Sequence, residues 1–357
     1  MRDVIISILL FMIICGFGFE GVSSKPQVPC YFIFGDSLSD NGNNNGLIST
    51  AKVNYSPYGV DFPAGIPTGR FSNGRTAVDI IAQKLGFKRY IPPFKEAMKS
   101  LHKFKGVNYA SGGAGILPET GRLLGGRVCL NQQMKNHKII ISKLAFKNGG
   151  KAMAVLNKCL YTMNIGNNDY INNYFMPEDY ISSHLYTPRQ YAALLIRHYS
   201  HQLKILYQNG ARKVALFGLG LIGCTPAEIA IHGATNGSAC VDNINAAVLI
   251  FNDKLISLVD KLNARHTDAN FTYINNAGMQ LTTSQGFKVF NSSCCKVRSD
   301  GLCQAASSPC KNRSEYVFWD SFHPTEAVNA ITGRRAYLKE ESSDAHPMDI
   351  SHLVKVQ

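Results

Sequence analysis

The sequence predicts an α/β fold in which a parallel sheet carries helices on both faces. Three observations support that expectation. Short apolar runs alternate with amphipathic helical stretches from one end of the chain to the other, as expected for strands joined by crossover helices. The apolar runs read as buried strands, and each stops at Gly or Asn. No linker-like stretch divides the chain, so residues 25–357 are expected to form a single domain ending in a short polar tail. With 357 residues, 45% of them apolar, the chain can bury a sizeable core, which excludes a disordered protein or a short-peptide scaffold. Charged residues make up only 17%, below the usual quarter, so the surface should be rich in uncharged polar groups.

Taken in order, the first segment reads as a secretory leader. Met1-Arg2-Asp3 precedes an apolar run from Val4 to Phe19 that is too short and too promptly broken for a comfortable membrane span. Val22 and Ser24 occupy the minus-three and minus-one places of a small-residue cleavage site, which puts the cut after Ser24 and makes 1–24 a signal peptide; the weighed alternative is an uncleaved anchor. Cleavage removes Arg2, Asp3 and Glu20 and raises the net charge from +13 to +14. No other apolar run approaches 18 residues, so a secreted, extracellular protein without stable membrane insertion is expected.

Strands are expected at Cys30–Phe34, Leu160–Ile165, Val214–Phe217 and Phe271–Ile274. A helix should begin with Thr187 as N-cap and Pro188 at its first position, continue through Ala192, Leu195, Ile196, Tyr199, Leu203 and Leu206, and stop at Gly210. A second is expected from Ile244 to Leu262, where apolar residues recur at helical spacing with Lys254, Asp260 and Lys261 opposite. Both stripes are read as core. The one low-complexity tract is Asn41-Gly-Asn-Asn-Asn-Gly46.

Ten cysteines less Cys15 leave nine in the mature chain, and an oxidising compartment should pair all but one. Cys294, Cys295, Cys303 and Cys310 cluster in a loop-like stretch and are expected to be tied by disulfides, while Cys224 and Cys240 flank a Gly-rich stretch. No C-x-x-C occurs, so no zinc or other metal site is expected. Five N-x-S/T sequons, at Asn54, Asn236, Asn270, Asn291 and Asn312, suit a eukaryotic secretory route, with some of them expected to carry glycan.

Four segments have chemical potential. Phe34-Gly35-Asp36-Ser37-Leu38-Ser39 places Ser37 just beyond a buried strand, on the edge where open parallel sheets build their sites; a following helix N-terminus would offer N–H groups to an oxyanion. Trp319-Asp320-Ser321-Phe322-His323-Pro324 puts a carboxylate and an imidazole three residues apart. Asp320 can then accept the His323 Nδ1–H and leave Nε2 as a base for Ser37. Asn108-Tyr-Ala-Ser-Gly112-Gly113-Ala-Gly115 is a small-residue loop that lets a substrate approach backbone N–H groups. Gly166-Asn167-Asn168-Asp169 follows a strand and can supply an amide donor.

Two segments imitate chemistry. Asp349-Ile-Ser-His352 repeats the D-x-x-H spacing but lies in the polar tail, without a preceding strand and past the last plausible helix, so an exposed surface pair is expected. Gly218-Leu-Gly220-Leu-Ile-Gly223 matches a dinucleotide fingerprint, with Asp242 suitably placed beyond. Pro226 and the lack of a clean helix after Gly223 count against it. G-x-S-x-G is absent, which argues against the usual α/β-hydrolase elbow.

Together the four segments resemble the plant GDSL esterase/lipase family of the SGNH hydrolases, in the expected order and over nearly the whole mature chain. The resemblance implies a single three-layer α/β/α sandwich with a parallel sheet of about five strands. It also implies Ser37 as nucleophile, His323 as base and Asp320 as its orienting acid. Ser37, Gly113 and Asn168 are the implied oxyanion donors, with Gly112 as the alternative to Gly113. The implied reaction is hydrolysis of a carboxylic ester through an acyl-enzyme, with no cofactor. Transfer of the acyl group to another alcohol, and a non-catalytic wall-binding glycoprotein, are the competing readings. The implied partner is an ester substrate and not nucleic acid; the positive charge adds an expectation of adhesion to acidic cell-wall polysaccharide.

Overall fold

A computed structural model describes residues 25–100, 104–148, 152–233, 238–279 and 281–356. The proposed leader, 1–24, and Asn236 lie outside the described residues. Strands β1 (Tyr31–Gly35), β2 (Gly106–Asn108), β3 (Leu160–Asn164), β4 (Lys213–Phe217), β5 (Asn270–Ile274) and β8 (Ala345–His346) form one sheet in the order β2-β1-β3-β4-β5-β8. The first five run parallel, and β8 joins the edge antiparallel to β5. The four expected strands therefore form. β2 and β8 lie in segments read from the sequence as loop and tail.

Because successive strand residues point to opposite faces, each central strand feeds two cores. Phe32, Phe34, Tyr161, Met163, Val214 and Leu216 pack on one face beneath α2 (Leu130–Asn148), α3 (Pro188–Gln208) and α5 (Asp242–Arg265). Tyr31, Ile33, Leu160, Ala215 and Phe217 pack on the other with α1 (Ala77–Lys84), the end of α6 (Glu326–Tyr337) and α7 (Ile350–Leu353). The result is the three-layer sandwich. Thr187 caps α3 as expected: its N–H donates to Gln190 Oε1 at 2.9 Å, and its Oγ1 accepts from the Gln190 N–H. The 242–265 stripe likewise forms a helix that packs against α3.

The expected polar tail is instead structural. Ile350 and Leu353 are buried in the second core, and Asp349, itself fully buried, caps α7 by accepting the His352 N–H at 3.0 Å. The Asp349–His352 pair thus follows a short strand and belongs to a last helix. Only its imidazole faces solvent, with the His352 side chain 60% exposed. Its spacing meets the needs of a helix cap.

Among the described residues the disulfides are Cys30–Cys159, Cys224–Cys240, Cys294–Cys310 and Cys295–Cys303, and Cys129 is free. The last two tie the loop that follows β6 (Val289–Ser293), which pairs with β7 (Tyr316–Phe318) in a separate two-stranded sheet. That sheet delivers the 319–324 segment. Of the sequons, Asn54, Asn291 and Asn312 are exposed, while Asn270 opens β5 half-buried.

Candidate active site

The parallel strands all end on one side, and three neighbours end together there. Gly35 on β1 pairs with Asn164 on β3, while β2 lies on the other side of β1. The segments that follow these strands, 36–40, 109–115 and 166–169, therefore meet in space although they are far apart in sequence. Gly35 suits this crowding: an added Cβ would sit 2.5 Å from the Asn164 carbonyl oxygen. Ser37 stands in a turn in which the Ser39 and Asp40 N–H groups both donate to the Asp36 carbonyl. The expected helix does not follow directly. The next helical piece is a single 3₁₀ turn, Asn43–Gly46, so any anion-binding N–H at Ser37 comes from the turn.

Ser37 Oγ lies 2.8 Å from His323 Nε2, and His323 Nδ1 lies 2.8 and 2.9 Å from the two oxygens of Asp320. Asp320 is fully buried and His323 nearly so. The carboxylate is held from several directions: Oδ1 accepts the backbone N–H groups of Phe322 and His323 at 2.9 and 2.8 Å, and Oδ2 accepts the Tyr58 hydroxyl at 2.7 Å. The Phe71 ring packs on the imidazole, with centroids 4.8 Å apart. The Trp319 N–H donates to the His323 carbonyl at 2.8 Å and closes the turn.

Opposite this chain, the two glycines differ in their hydrogen bonding. The Gly112 N–H is taken by Asp40 Oδ2 at 3.0 Å. The N–H groups of Gly113 and Ser37 have no acceptor among the described residues. Gly113 adopts a φ of 75°, in the left-handed region that favours glycine. Asn168 Nδ2 donates one proton to the Ala114 carbonyl at 3.0 Å, and its Oδ1 accepts from Asn172 at 2.7 Å. This fixes the amide and leaves its second proton free. Ser37, Gly113, Asn168 and His323 all line one cavity of about 320 Å³. Its remaining wall is largely apolar and includes Leu124, Ile171, Leu221, Met279, Val317 and Phe318.

The fingerprint decoy ends here as well. Gly220 and Leu221 line the cavity, while Gly223, ahead of α4 (Pro226–His232), donates its N–H to Asn245 Oδ1. Asp242 accepts the Ser238 hydroxyl at 2.8 Å at the start of α5.

Several supporting residues were not identified from the sequence. Asn43 Nδ2 donates to the carbonyls of Asn108 and Ala110, and Asn44 Nδ2 donates to that of Gly112. The asparagine-rich tract therefore scaffolds the glycine loop. Asp36 is buried beside the relay, where desolvation pushes its carboxyl up to about 6 against the pull of the Leu38 N–H, Asn167 and the field of His323. Tyr58 is 262 residues from the carboxylate it touches.

A model of the GDSL-like lipase/acylhydrolase family matches residues 31–336. The chain belongs to that family. It is 50% identical over 359 residues to the Arabidopsis thaliana protein GDSL esterase/lipase At1g29670, covering 98% of each chain. It is 49% identical to GDSL esterase/lipase At5g45670 of the same plant over 361 residues, covering 98% of this chain and 99% of the relative. GDSL esterase/lipase At4g18970 is 50% identical over 341 residues, with 93% and 94% covered. The fold is the SGNH-hydrolase fold of that family, with a central sheet of six strands, and the chain is a carboxylic ester hydrolase. Among the described residues no helix is long and apolar enough to cross a membrane.

Proposed function

We propose that this hydrolase is a secreted serine esterase whose nucleophile is Ser37, whose base is His323 and whose orienting acid is Asp320. The observation that carries the reading is the unbroken hydrogen-bonded chain Ser37–His323–Asp320 opening onto an apolar cavity. His323 Nε2 takes the proton of Ser37 Oγ as that oxygen attacks the ester carbonyl, and Asp320 balances the imidazolium that forms. The negative charge that develops on the carbonyl oxygen is met by the N–H groups of Ser37 and Gly113 and by the Asn168 amide. Collapse of the tetrahedral intermediate transfers the proton to the departing alcohol. Water, deprotonated by the same imidazole, then releases the acid and restores Ser37; another alcohol in its place would make the reaction an acyl transfer.

The lining favours an ester with a substantial apolar portion. Secretion is supported by the 1–24 leader, four disulfides and three exposed sequons, Asn54, Asn291 and Asn312. The charge of +14 after cleavage favours acidic wall polysaccharide as the surface on which the protein rests. Ser37→Ala and His323→Ala should each give a folded protein with ester hydrolysis reduced by about three to six orders of magnitude. The losses should not add in the double variant, because both residues serve one proton transfer. A folded Ser37→Ala protein that hydrolyses esters at the wild-type rate would refute the mechanism.

A further inference from the structure

We propose that Tyr58 is a positioning residue for the reaction, acting through Asp320, and that the loop closed by Cys295–Cys303 holds it there. The inference rests on the roles given above to Ser37, His323 and Asp320. Tyr58 is buried, and its oxygen makes two hydrogen bonds: to Asp320 Oδ2 at 2.7 Å and to the Cys303 backbone nitrogen at 3.0 Å. The second contact fixes the direction of the first. A backbone N–H only donates, so the phenol accepts from Cys303 and its own proton is left for the carboxylate. Burial and the Asp320 charge hold the phenol well above its usual range, so it remains a donor wherever the enzyme works.

The ring is also fixed. Tyr55 lies edge-on at 5.4 Å and Trp319 at 6.5 Å, and the Tyr55 hydroxyl donates to the Cys303 carbonyl at 2.9 Å. Cys303 thus clamps the two tyrosines through both of its backbone groups, and its disulfide to Cys295 sets where that backbone lies.

The consequence concerns the second oxygen of Asp320. Among the described residues Oδ1 has two backbone donors, whereas Oδ2 has Tyr58 alone besides the imidazole. Without the phenol, Oδ2 is a buried anionic oxygen facing only His323. Its undiluted charge then stabilises the imidazolium more strongly, and the carboxylate loses one of the contacts that fix its plane. Tyr58 does not line the cavity, so substrate binding is spared. The titratable groups around this cluster are Asp36, just past β1, which feels the charge of His323, and, beyond Tyr58, Tyr55, which feels Arg298 and Asp300 as well as Asp320.

The test is Tyr58→Phe in the full-length enzyme, assayed on a soluble ester across pH. The expected result is kcat about ten-fold lower with KM unchanged, and an acid limb of the kcat/KM profile moved to higher pH. In an Asp320→Asn background the same substitution should change kcat less than about two-fold, because the residue acts through the carboxylate. Equal losses in both backgrounds, or a Tyr58→Phe enzyme that matches wild type in kcat and pH profile, would overturn the proposal. So would a Tyr58→Phe chain that no longer folds, since the hydroxyl would then be holding the fold and not the relay. Failure here is distinguishable from failure of the proposed mechanism, which is decided by Ser37→Ala.

Discussion

One contribution to stability that acidification should remove comes from His137. It lies on α2, fully buried, with Phe32 and Phe34 edge-on at 4.7 and 5.3 Å and Tyr161 at 5.7 Å. The Tyr109 oxygen lies 3.0 Å from Nδ1, and burial holds that phenol well above its usual range. With Nδ1 as donor, both the phenol proton and Nε2 would be left unpaired, whereas with the phenol as donor only the Nε2 proton lacks a partner among the described residues, so the second arrangement is favoured. A second proton would have to enter at Nδ1, against Tyr109 and among aromatic rings. Burial accordingly pushes the imidazole down from 6.5 to about 3. The sign follows from proton binding. Between these values the unfolded chain holds a proton that the folded chain refuses, so stability is fully present above the upper value and is lost as pH falls toward the lower. Over the interval from pH 7 to pH 4 the loss is about 3 kcal/mol. Urea unfolding of wild type and His137→Gln at both pH values measures it; Gln cannot take a proton there but still offers an acceptor to Tyr109. Asp36 and Asp40, pushed up to about 6 by burial, and Asp169, pushed up to about 7, act in the opposite sense. They are present in both proteins and cancel in the difference. Wild type should lose about 3 kcal/mol more than the variant on acidification. Parallel pH dependences would refute the reasoning.

Three further outcomes are expected. Asn168→Ala should lower kcat by about two to three orders of magnitude with little change in KM, the loss of one fixed oxyanion donor; initial-rate kinetics on a soluble ester measure it. His352→Ala should leave ester hydrolysis unchanged, whereas Asp349→Ala should cost about 1 kcal/mol of stability by uncapping α7, read as a lowered midpoint in urea.

The parts of the fold that were legible in the sequence are those long enough to show a period. Helix α5 repeats its apolar face over about five turns, and β1, β3, β4 and β5 are five-residue runs buried on both faces. β2 has three residues and β8 two, too few for alternation to register. β2 also runs directly into the glycine loop, so a strand and a turn share one composition. The last turn of the chain misled for a related reason. Around Asp349 the residues are polar, yet a carboxylate that caps a helix satisfies its hydrogen bonds internally and can be buried while Ile350 and Leu353 enter the core. Composition registers the charge but not the partner that makes burial tolerable.

The site was legible as residue types at strand ends, because a parallel sheet places all its strand ends on one edge, and a hydroxyl, an amide and a glycine loop there can converge. Their convergence depends on strand order. β1 lies between β2 and β3, so the turn bearing Ser37 has the glycine loop on one side and Asn168 on the other. Sequence order separates the same segments by roughly 70 and 130 residues. The Gly112 N–H is taken by a carboxylate, Asp40, five residues past the end of β1, a contact that nothing in the sequence announces. Tyr58 shows the same limit more sharply. Its aromatic ring would suit any core, and only the placement of its oxygen between the Cys303 N–H and Asp320 gives the hydroxyl a role. A sequence therefore reveals the groups that carry chemistry by their type, whereas the groups that hold them in place are ordinary residues distinguished only by their contacts.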